Sequence, residues 1–225
     1  MGRFMFLVEV IACSLTDAIA AENGGAGRLE IVRSGEVGGL TPSVALVGEI
    51  VAAVSIPVRV MLRENSGFEV AGEIEIAALC SAAREFSLLG VDGIVIGFLR
   101  GRDVDLPVLK RVLSAAPTLK ATFHRAFEEL PDHEAAVASL KRLPQFDRIL
   151  ASPAHVHNLN RLVECAASEL TIIAGGGLDR ASLESLLQSS PIREFHFGRA
   201  VRYGNDIRQP VDSALVRELA ALLGG

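Results

Sequence analysis

Titratable side chains stand at the ends of several strand-like segments, which is where sheets covered by helices hold their chemistry. One such segment alternates polar and apolar residues and ends in His124-Arg125. Glu9, Glu30 and His196 hold comparable positions in three other segments. A titratable group beside a permanent cation suits an anionic or carbonyl-bearing ligand. We therefore predict Glu9 or Glu30 as the general base and His124 as the general acid.

Four polar residues at these strand ends are predicted to contact the ligand. They are Arg63, Arg125, Ser152 and His196. By strict alternation Arg125 would face the surrounding helices, unless the chain turns after His124. A purely structural ion-pair network is the alternative interpretation for the charged residues that lie nearer the strand starts.

The apolar pattern along the chain predicts the scaffold that positions these residues. Strand-like runs occupy 4–10, 28–32, 58–62, 93–96, 119–123, 147–150, 170–174 and 194–197. Helical patterns occupy 15–23, 44–54, 73–89, 106–115, 132–142, 158–168, 181–188 and 211–223. Eight strands alternating with eight helices predict an α/β fold, a (β/α)8 TIM barrel, in which residues 1–225 form a single domain.

The same alternation predicts an ionic barrel interior. The apolar residues of each strand must face the helices, so the residues between them face the lumen. The lumen-facing cations outnumber the acids, which favours an anionic ligand. The predicted lumen residues are Leu7, Glu9, Arg28, Glu30, Arg59, Met61, Arg63, Lys120, Thr122, His124, Arg148, Glu194 and His196.

Two glycine-containing loops follow the seventh and eighth strand-like segments. Barrels of this class often bind phosphate at these two loops, because glycine lets backbone N–H groups approach an anion closely. A tight turn from strand to helix is the alternative interpretation. The predicted anion-binding residues are Gly175, Gly176, Gly177, Gly198 and Arg199.

Composition limits the classes of binding partner and the cellular compartment that can be expected. The 225 residues are 50% hydrophobic and carry a net charge of −5, which argues against nucleic acid. No apolar span is long enough to predict a membrane segment. Cys13, Cys80 and Cys165 are odd in number and widely spaced, so neither a disulfide framework nor a zinc ribbon is indicated. A cytoplasmic location is predicted, and Cys13 is the one thiol near a strand end that could bind a metal.

Other histidines and loops are given less specific roles. His133, His155 and His157 are interpreted as solvated side chains, because no third metal ligand stands near them in the sequence. The glycine-containing loop 33–43 and the loop 64–72 could both fold over the barrel mouth as lids.

Several motifs together resemble the CutC copper homeostasis family over about residues 7–200. The most specific are G-G-L-T-P-S at 38–43 and T-F-H-R-A-F at 122–127. Shorter similarities are V-E-V at 8–10, G-A-G-R-L-E at 25–30, I-P-V at 56–58, A-G-G-G at 174–177 and E-F-H at 194–196. The resemblance implies a TIM barrel, a cytoplasmic location, homo-oligomers and a role in copper tolerance through Cu(I) binding.

The chain departs from the family where copper would need thiols. The resemblance implies cysteines at three positions that are Ile11, Val32 and Phe197 in this chain. Cu(I) selects Cys and Met, whereas the predicted carboxylates and imidazoles form a harder set that suits Zn, Mn, Mg or no metal. Which cofactor the protein uses therefore stays open, and copper is implied by the resemblance only.

Two functions remain open at this point, and both take a small anionic ligand or a metal ion as partner. The first is the copper-binding role that the resemblance implies. The second is an enzyme that acts on a small phosphorylated or carboxylated metabolite at the C-terminal face of the barrel. A ligand sensor without catalysis is a third interpretation.

Overall fold

Eight parallel strands close into a barrel with helices outside it, which confirms the predicted (β/α)8 fold. The computed structural model describes residues 6–154 and 159–224. The strands are β1 (Leu7–Ala12), β2 (Arg28–Ile31), β3 (Val58–Met61), β4 (Gly93–Ile96), β5 (Leu99–Arg100), β6 (Asp103–Val104), β7 (Lys120–Phe123), β8 (Phe146–Ala151), β9 (Thr171–Ala174) and β10 (Glu194–Phe197). The helices are α1 (Leu15–Gly24), α2 (Val44–Ala53), α3 (Glu73–Leu88), α4 (Leu106–Ala115), α5 (His133–Leu140), α6 (Leu159–Ala166), α7 (Arg180–Ser189) and α8 (Ser213–Leu222).

The order of strands around the barrel follows the order of the chain. It runs β1-β2-β3-β4-β7-β8-β9-β10 and returns to β1, while β5 and β6 form a separate two-stranded hairpin that the sequence pattern does not predict. Among the described residues, none of the helices combines the length and the apolar character that crossing a membrane requires.

Strand β1 differs from its predicted bounds in a way that affects the mouth of the barrel. The pattern predicts residues 4–10, of which 4 and 5 lie outside the described residues, whereas β1 ends at Ala12. Ile11 therefore belongs to the strand, where it pairs in register with Glu30 of β2. Cys13 lies just beyond the strand end. The predicted helix at 158–168 begins within the described residues at Leu159.

The apolar side of each strand packs against the helices as predicted. Val10, Leu29, Val60, Phe123 and Phe195 are fully buried in one continuous core. Burial of each such side chain contributes about 1.5–3 kcal/mol, so this layer between strands and helices is the main source of stability.

Most of the helices begin with a side-chain N-cap, at the point where the apolar pattern changes from loop to helix. Ser14 accepts a hydrogen bond from the backbone N–H of Asp17 at the start of α1. Gly25 ends the same helix in the left-handed conformation, with φ of 98°. Asp105 and Asp179 cap α4 and α7 in the same way as Ser14 caps α1.

The half of the lumen away from the mouth is filled by ion pairs, which we call the ion-pair floor. Its members are Arg28, Arg59, Asp92, Asp147, Arg148 and Glu194. Arg59 binds Asp147 through two hydrogen bonds of 2.7 Å and Asp92 through one of 2.9 Å. Arg28 and Arg148 both bind Glu194. Each buried charge therefore has a partner of opposite sign, as its desolvation requires.

Two features of the floor correct the predicted alternation. Lys120 is exposed at the start of β7, so it does not add a cation to the lumen. The register between β7 and β8 shifts between Ala121 and Thr122. Asp147, which strict alternation excludes from the lumen, binds Arg59 there. Because Asp92 and Asp147 add two acids, the predicted surplus of positive charge does not hold for the floor.

Candidate functional site

A cavity of about 1060 Å³ opens at the carboxyl ends of the strands. This is the face at which TIM barrels hold their active sites. Of the predicted catalytic, ligand-binding and anion-binding residues, those that line the cavity are Glu30, His124, Arg125, Gly176, Gly177, His196, Gly198 and Arg199. Residues Glu9, Arg63, Ser152 and Gly175 do not line it.

Glu30 and His196 meet in the cavity wall, and Glu9 lies beneath them. The distance from His196 Nδ1 to the nearer oxygen of Glu30 is 3.6 Å. The same nitrogen lies 2.8 Å from an oxygen of Glu9. Strands β1, β2 and β10 are neighbours in the barrel, and their register places Glu9 directly beside His196. The Glu9 contact orients the imidazole and leaves its Nε2 as the ring atom available to a ligand.

Charge separates the roles of the two carboxyl groups. Burial by itself raises the pKa of Glu9. The positive charge of Arg28 and the hydrogen bond with His196 lower the pKa by more than burial raises it, so the net pKa lies well below its usual range. Glu30 has no such partner: burial raises its pKa to about 7, although the positive charge of His196 opposes the shift. Glu9 is therefore a permanent carboxylate, while Glu30 exchanges a proton near neutral pH.

His196 also exchanges its proton above the usual histidine range. Burial lowers the pKa of His196, but the hydrogen bond with Glu9 and the negative charge of Glu30 outweigh burial and raise it. Glu30 and His196 thus form a pair in which the charge of each group affects the protonation of the other.

His124 lies on the opposite side of the closed strand order, directly after β7, and its side chain is buried. Its Nδ1 accepts a hydrogen bond of 3.1 Å from the backbone N–H of Ala126. Burial, together with the positive charges of Arg63 and Arg125, lowers the pKa of His124 to about 3. The imidazole is therefore neutral under physiological conditions.

Arg63 and Arg125 occupy different places at the mouth. The Arg63 guanidinium is buried and donates to the backbone carbonyls of Val37, Gly39, Ser66 and Gly67, so it joins the loops 33–43 and 64–72. The chain turns into a short 3-10 helix after His124, which directs Arg125 to the cavity instead of the helices. Its side chain is half exposed and lies 3.7 Å from Glu128.

The two predicted lid loops also differ. Glu36, Gly38 and Gly39 of the first loop line the cavity. In the second loop, Phe68 packs on the His124 ring with 5.4 Å between ring centroids. The second loop therefore braces a site residue without lining the cavity.

The glycine loop after β9 presents backbone N–H groups at the mouth. Gly176 and Gly177 are exposed and have φ angles of 76° and 95°, a conformation that favours glycine. Within the described ranges no hydrogen bond from either N–H group is found. Gly175 is buried, and its N–H donates to Ala151. Ser152 is also buried and donates to the carbonyl of Gly176, which fixes the loop to the end of β8.

Arg199 and Gly198 lie across from this loop in the same cavity wall. A side-chain nitrogen of Arg199 lies 3.5 Å from the position that a Cβ on Gly177 would occupy. Arg199 is exposed and forms no ion pair with any residue that the structure describes. These features suit an anion held between the two loops.

A buried arginine, Arg202, holds the last loop over the mouth. Arg202 donates to Asp17 and to the carbonyls of Ile11, Gly198 and Gln209. The loop 203–208 continues from this anchor and contributes five residues, Gly204 to Arg208, to the cavity wall. Asp17 is recognisable in the sequence only as part of a helix cap, because its partner stands 185 positions away.

Of the remaining histidines, His133 does not line the cavity. His133 is half-buried and stacks on Phe127 with 4.8 Å between ring centroids, so it is not a fully solvated side chain. His155 and His157 lie outside the described residues.

One group of side chains in the described chain could hold a metal ion, namely Glu9, Glu30 and His196, whose ligand atoms lie within 4.8 Å of one another. Two of these ligands are already engaged. Glu9 binds Arg28 and His196, and the His196 nitrogen that faces both carboxyl groups is its Nδ1, which bonds to Glu9. A metal would have to displace these hydrogen bonds, so the arrangement fits proton transfer better than metal binding.

The fold and this site define a class: a single-domain TIM barrel with a buried carboxyl–imidazole pair and a glycine loop at its C-terminal face. The sequence profile of the CutC family matches residues 6–201. The human copper homeostasis protein cutC homolog is 34% identical over 198 residues, which cover 85% of this chain and 72% of that protein. A CutC family protein of Klebsiella pneumoniae is 34% identical over 210 residues, 91% of this chain and 84% of that protein.

Solved structures agree with this assignment. The putative copper homeostasis protein CutC of Streptococcus agalactiae superposes with a TM-score of 0.79 at 27% identity, covering 85% of this chain and 98% of that one. The thiamine phosphate pyrophosphorylase of Pyrococcus furiosus, at 14% identity and a TM-score of 0.62, covers 99% of both chains and shares the fold alone. The chain belongs to the CutC family.

The residues at the mouth do not fit Cu(I). Ile11, Val32 and Met61 form an apolar wall of the cavity, and Cys13 packs behind it without lining the cavity. Burial raises the pKa of the Cys13 thiol, which disfavours the thiolate that binds a soft metal. Phe197 is buried in the layer between strands and helices. Met61 offers one soft thioether, whereas the other ligand atoms that the described side chains present to the cavity are harder nitrogens and oxygens.

Proposed function

We propose that this member of the CutC family is an enzyme that transfers a proton to or from a small anionic metabolite. The observation that carries the proposal is the pair formed by Glu30 and His196 in the cavity wall. Glu30 changes protonation near neutral pH, which is the range in which a general acid or base works best, and the pKa of His196 is raised from its usual value. Pairs of this kind in a cleft are typical of active sites.

Glu9 has a positioning role in this proposal and does not act as the base. Its low pKa leaves it without a proton to give and makes it a weak acceptor. Its hydrogen bond instead holds the imidazole of His196, as a buried carboxylate orients the histidine in many hydrolytic sites.

The anionic group of the metabolite binds between the glycine loop and Arg199. Free N–H groups of Gly176 and Gly177 support this placement, and the exposed guanidinium of Arg199 adds charge. Arg125 contributes a second cation to the same cavity. The apolar wall of Ile11, Val32 and Met61 suits a carbon skeleton at the other side of the ligand.

The test uses a panel of small phosphorylated and carboxylated metabolites, whose conversion is followed by proton NMR. Wild-type protein is expected to convert at least one of them, and Glu30→Gln is expected to lose about 100-fold to 10,000-fold in rate. Glu49→Gln, an exposed carboxyl of α2, is the matched control and should behave as wild type. Equal rates for wild type and Glu30→Gln would exclude Glu30 as the transfer group.

A soak with inorganic phosphate tests the anion site separately. Crystals are expected to show phosphate on the N–H groups of Gly176 and Gly177. Empty density there at high phosphate concentration would argue against a phosphate-binding loop.

Copper binding is the competing hypothesis, and it rests on the names of the relatives. Its test is stoichiometric Cu(I) retention against a chelator, compared between wild type and Cys13→Ala. Retention that falls with this substitution would replace the enzyme proposal with a copper-binding role. We expect no such retention, because the thiol stays protonated behind an apolar wall.

We also propose a cytoplasmic location and a homo-oligomer. The three cysteines are all free, which suits a reducing compartment. The oligomer rests on membership in the family, and light scattering after size-exclusion chromatography would test it. The acidic net charge leaves nucleic acid outside the expected partners.

A further inference from the structure

The His124 ring presents a hydrogen on one defined nitrogen. Because Nδ1 accepts the backbone N–H of Ala126, the hydrogen of the neutral ring sits on Nε2. Nε2 is buried and has no hydrogen-bond partner among the residues that the structure describes. A buried donor without an acceptor is rare in folded proteins and calls for an explanation such as a ligand.

The surroundings of the ring hold it in place. Phe68 packs against one side. A Cβ on Gly97 would lie 2.5 Å from Nδ1, so only glycine at this position leaves room for the imidazole. The donor is therefore preorganised, and its direction does not depend on the ligand.

The ring is also unable to become a cation under physiological conditions. Burial and the positive charges of Arg63 and Arg125 oppose protonation. A neutral imidazole can hydrogen-bond to an oxygen that gains negative charge while keeping its own proton, a pattern known from isomerases that act on carbonyl compounds.

We propose that the substrate is an anion with a carbonyl group next to a C–H bond, and that His124 Nε2–H donates to the carbonyl oxygen while Glu30 removes the proton from the adjacent carbon. This inference rests on the proposed function and names its substrate class. It is supported by the position of His124 and Glu30 in the wall of one cavity.

The step balances without a further reactant. The electron pair of the broken C–H bond forms the C=C bond of an enolate, the carbonyl oxygen takes the negative charge, and the proton resides on the Glu30 carboxyl. Return of this proton to the same carbon regenerates the substrate, and exchange of the Glu30 proton with solvent before the return gives the isotope-exchanged substrate. His124 remains neutral throughout.

The test is hydrogen–deuterium exchange at the carbon beside the carbonyl, measured in D₂O by proton NMR. The probes are pyruvate, 2-oxoglutarate and dihydroxyacetone phosphate. Wild type is expected to accelerate exchange of at least one probe. His124→Asn keeps an acceptor for the Ala126 N–H but removes the outer donor, and should slow exchange about 100-fold to 1,000-fold. His124→Gln keeps a donor near the Nε2 position and should recover most of the rate.

A second measurement follows the ring itself with ¹⁵N-labelled histidine. It should show the Nε2–H tautomer, and oxalate, whose oxygens resemble those of an enolate, should move the Nε2–H proton downfield. His124→Gln and His124→Asn keep their folded circular-dichroism spectra in the expected result, so loss of structure is separated from loss of the donor.

The outcomes distinguish this inference from the proposed function. Exchange that is as fast in His124→Asn as in wild type would overturn the role of His124, and absence of exchange for every probe would overturn the carbonyl substrate class. In both cases the proposed function survives if some other anion is converted in a Glu30-dependent manner. If Glu30→Gln has no effect on any conversion, both fail.

Discussion

At the floor of the barrel, Arg59 donates four hydrogen bonds, three to Asp92 and Asp147 and one to Thr122. At the mouth, His124 Nε2 finds no partner among the described residues, and Glu30 has only the 3.6 Å contact with His196. Both regions bury charged or polar side chains, and strands β2 and β10 contribute residues to both. They differ in whether each group is satisfied by the protein alone.

We infer from this difference that the floor has a structural role and that the mouth has a chemical one. A complete network holds its charges in one protonation state and leaves nothing for a ligand. An incomplete one leaves pKa values shifted and donors free, as with the pKa of Glu30 at about 7 and that of His124 at about 3. Glu9 connects the two regions, since it binds Arg28 of the floor and His196 of the mouth.

The largest expected effect comes from breaking the floor. Arg59→Met takes the cation from Asp92 and leaves Asp147 paired with Arg148 alone. Because both carboxyl groups are partly exposed, we expect a loss of unfolding free energy toward the lower end of the about 3–5 kcal/mol that removal of one partner from a buried pair costs. Urea denaturation of wild type and variant measures this loss. A loss below about 1 kcal/mol would mean that the floor tolerates unpaired charge, and the contrast with the mouth would disappear.

The next largest effect concerns Glu30 at the mouth, where we expect the free energy of unfolding to depend on pH. The pKa of Glu30 is raised on folding, so the folded state holds this proton more tightly than the unfolded state. The stabilisation is complete below the unfolded pKa and is lost as the pH rises through about 7. The raised pKa of His196 acts in the same direction.

Glu30→Gln is expected to remove the Glu30 part of this dependence. The stability of the variant relative to wild type should rise by about 2.5 kcal/mol between pH 5 and pH 8, at 1.36 kcal/mol for each unit of pKa shift. Urea midpoints measured at each pH with constant ionic strength provide the comparison. Parallel pH profiles for the two proteins would contradict the raised pKa.

Sequence periodicity was sufficient to predict the barrel, because each strand must bury one face against helices and the alternation reports that face directly. It also predicted that Glu30, His124 and His196 would share a cavity. It could not predict that Asp147 faces the lumen, because the β7–β8 register shift that brings this residue to Arg59 leaves no signal in the local sequence. Nor could it show that the Arg63 guanidinium donates its hydrogen bonds to loop carbonyls, since those contacts depend on how the loops fold.

A smaller effect is expected where backbone space sets the direction of the His124 donor. Gly97→Ala would place a Cβ 2.5 Å from Nδ1 and 2.7 Å from Cε1 of the ring. Such overpacking costs about 1–3 kcal/mol, and the ring should lose its hydrogen bond from Ala126. Thermal unfolding and the ¹⁵N shifts of His124 measure both consequences.

Gly48→Ala is the matched control for this substitution. Its Cβ would meet Leu89 at 3.6 Å, an ordinary contact, within helix α2. It should leave stability unchanged or raise it slightly, because alanine favours helix more than glycine does. If both alanine variants kept the His124 shifts of wild type, the ring would not be fixed by position 97.

The smallest expected effect separates the contribution of burial to the strength of an ion pair from the contribution of its hydrogen-bond geometry. Arg111 binds Glu73 on the surface through two hydrogen bonds of 2.8 Å, much as Arg59 binds Asp147 through two of 2.7 Å. Arg111 is half exposed, so water and salt replace its partner when the pair is broken. Arg111→Met should therefore leave the urea midpoint unchanged within error, under conditions in which Arg59→Met lowers it strongly. If the two substitutions had equal effects, pairing geometry and not desolvation would set the stability of the floor, and an unpaired group at the mouth would carry no functional meaning.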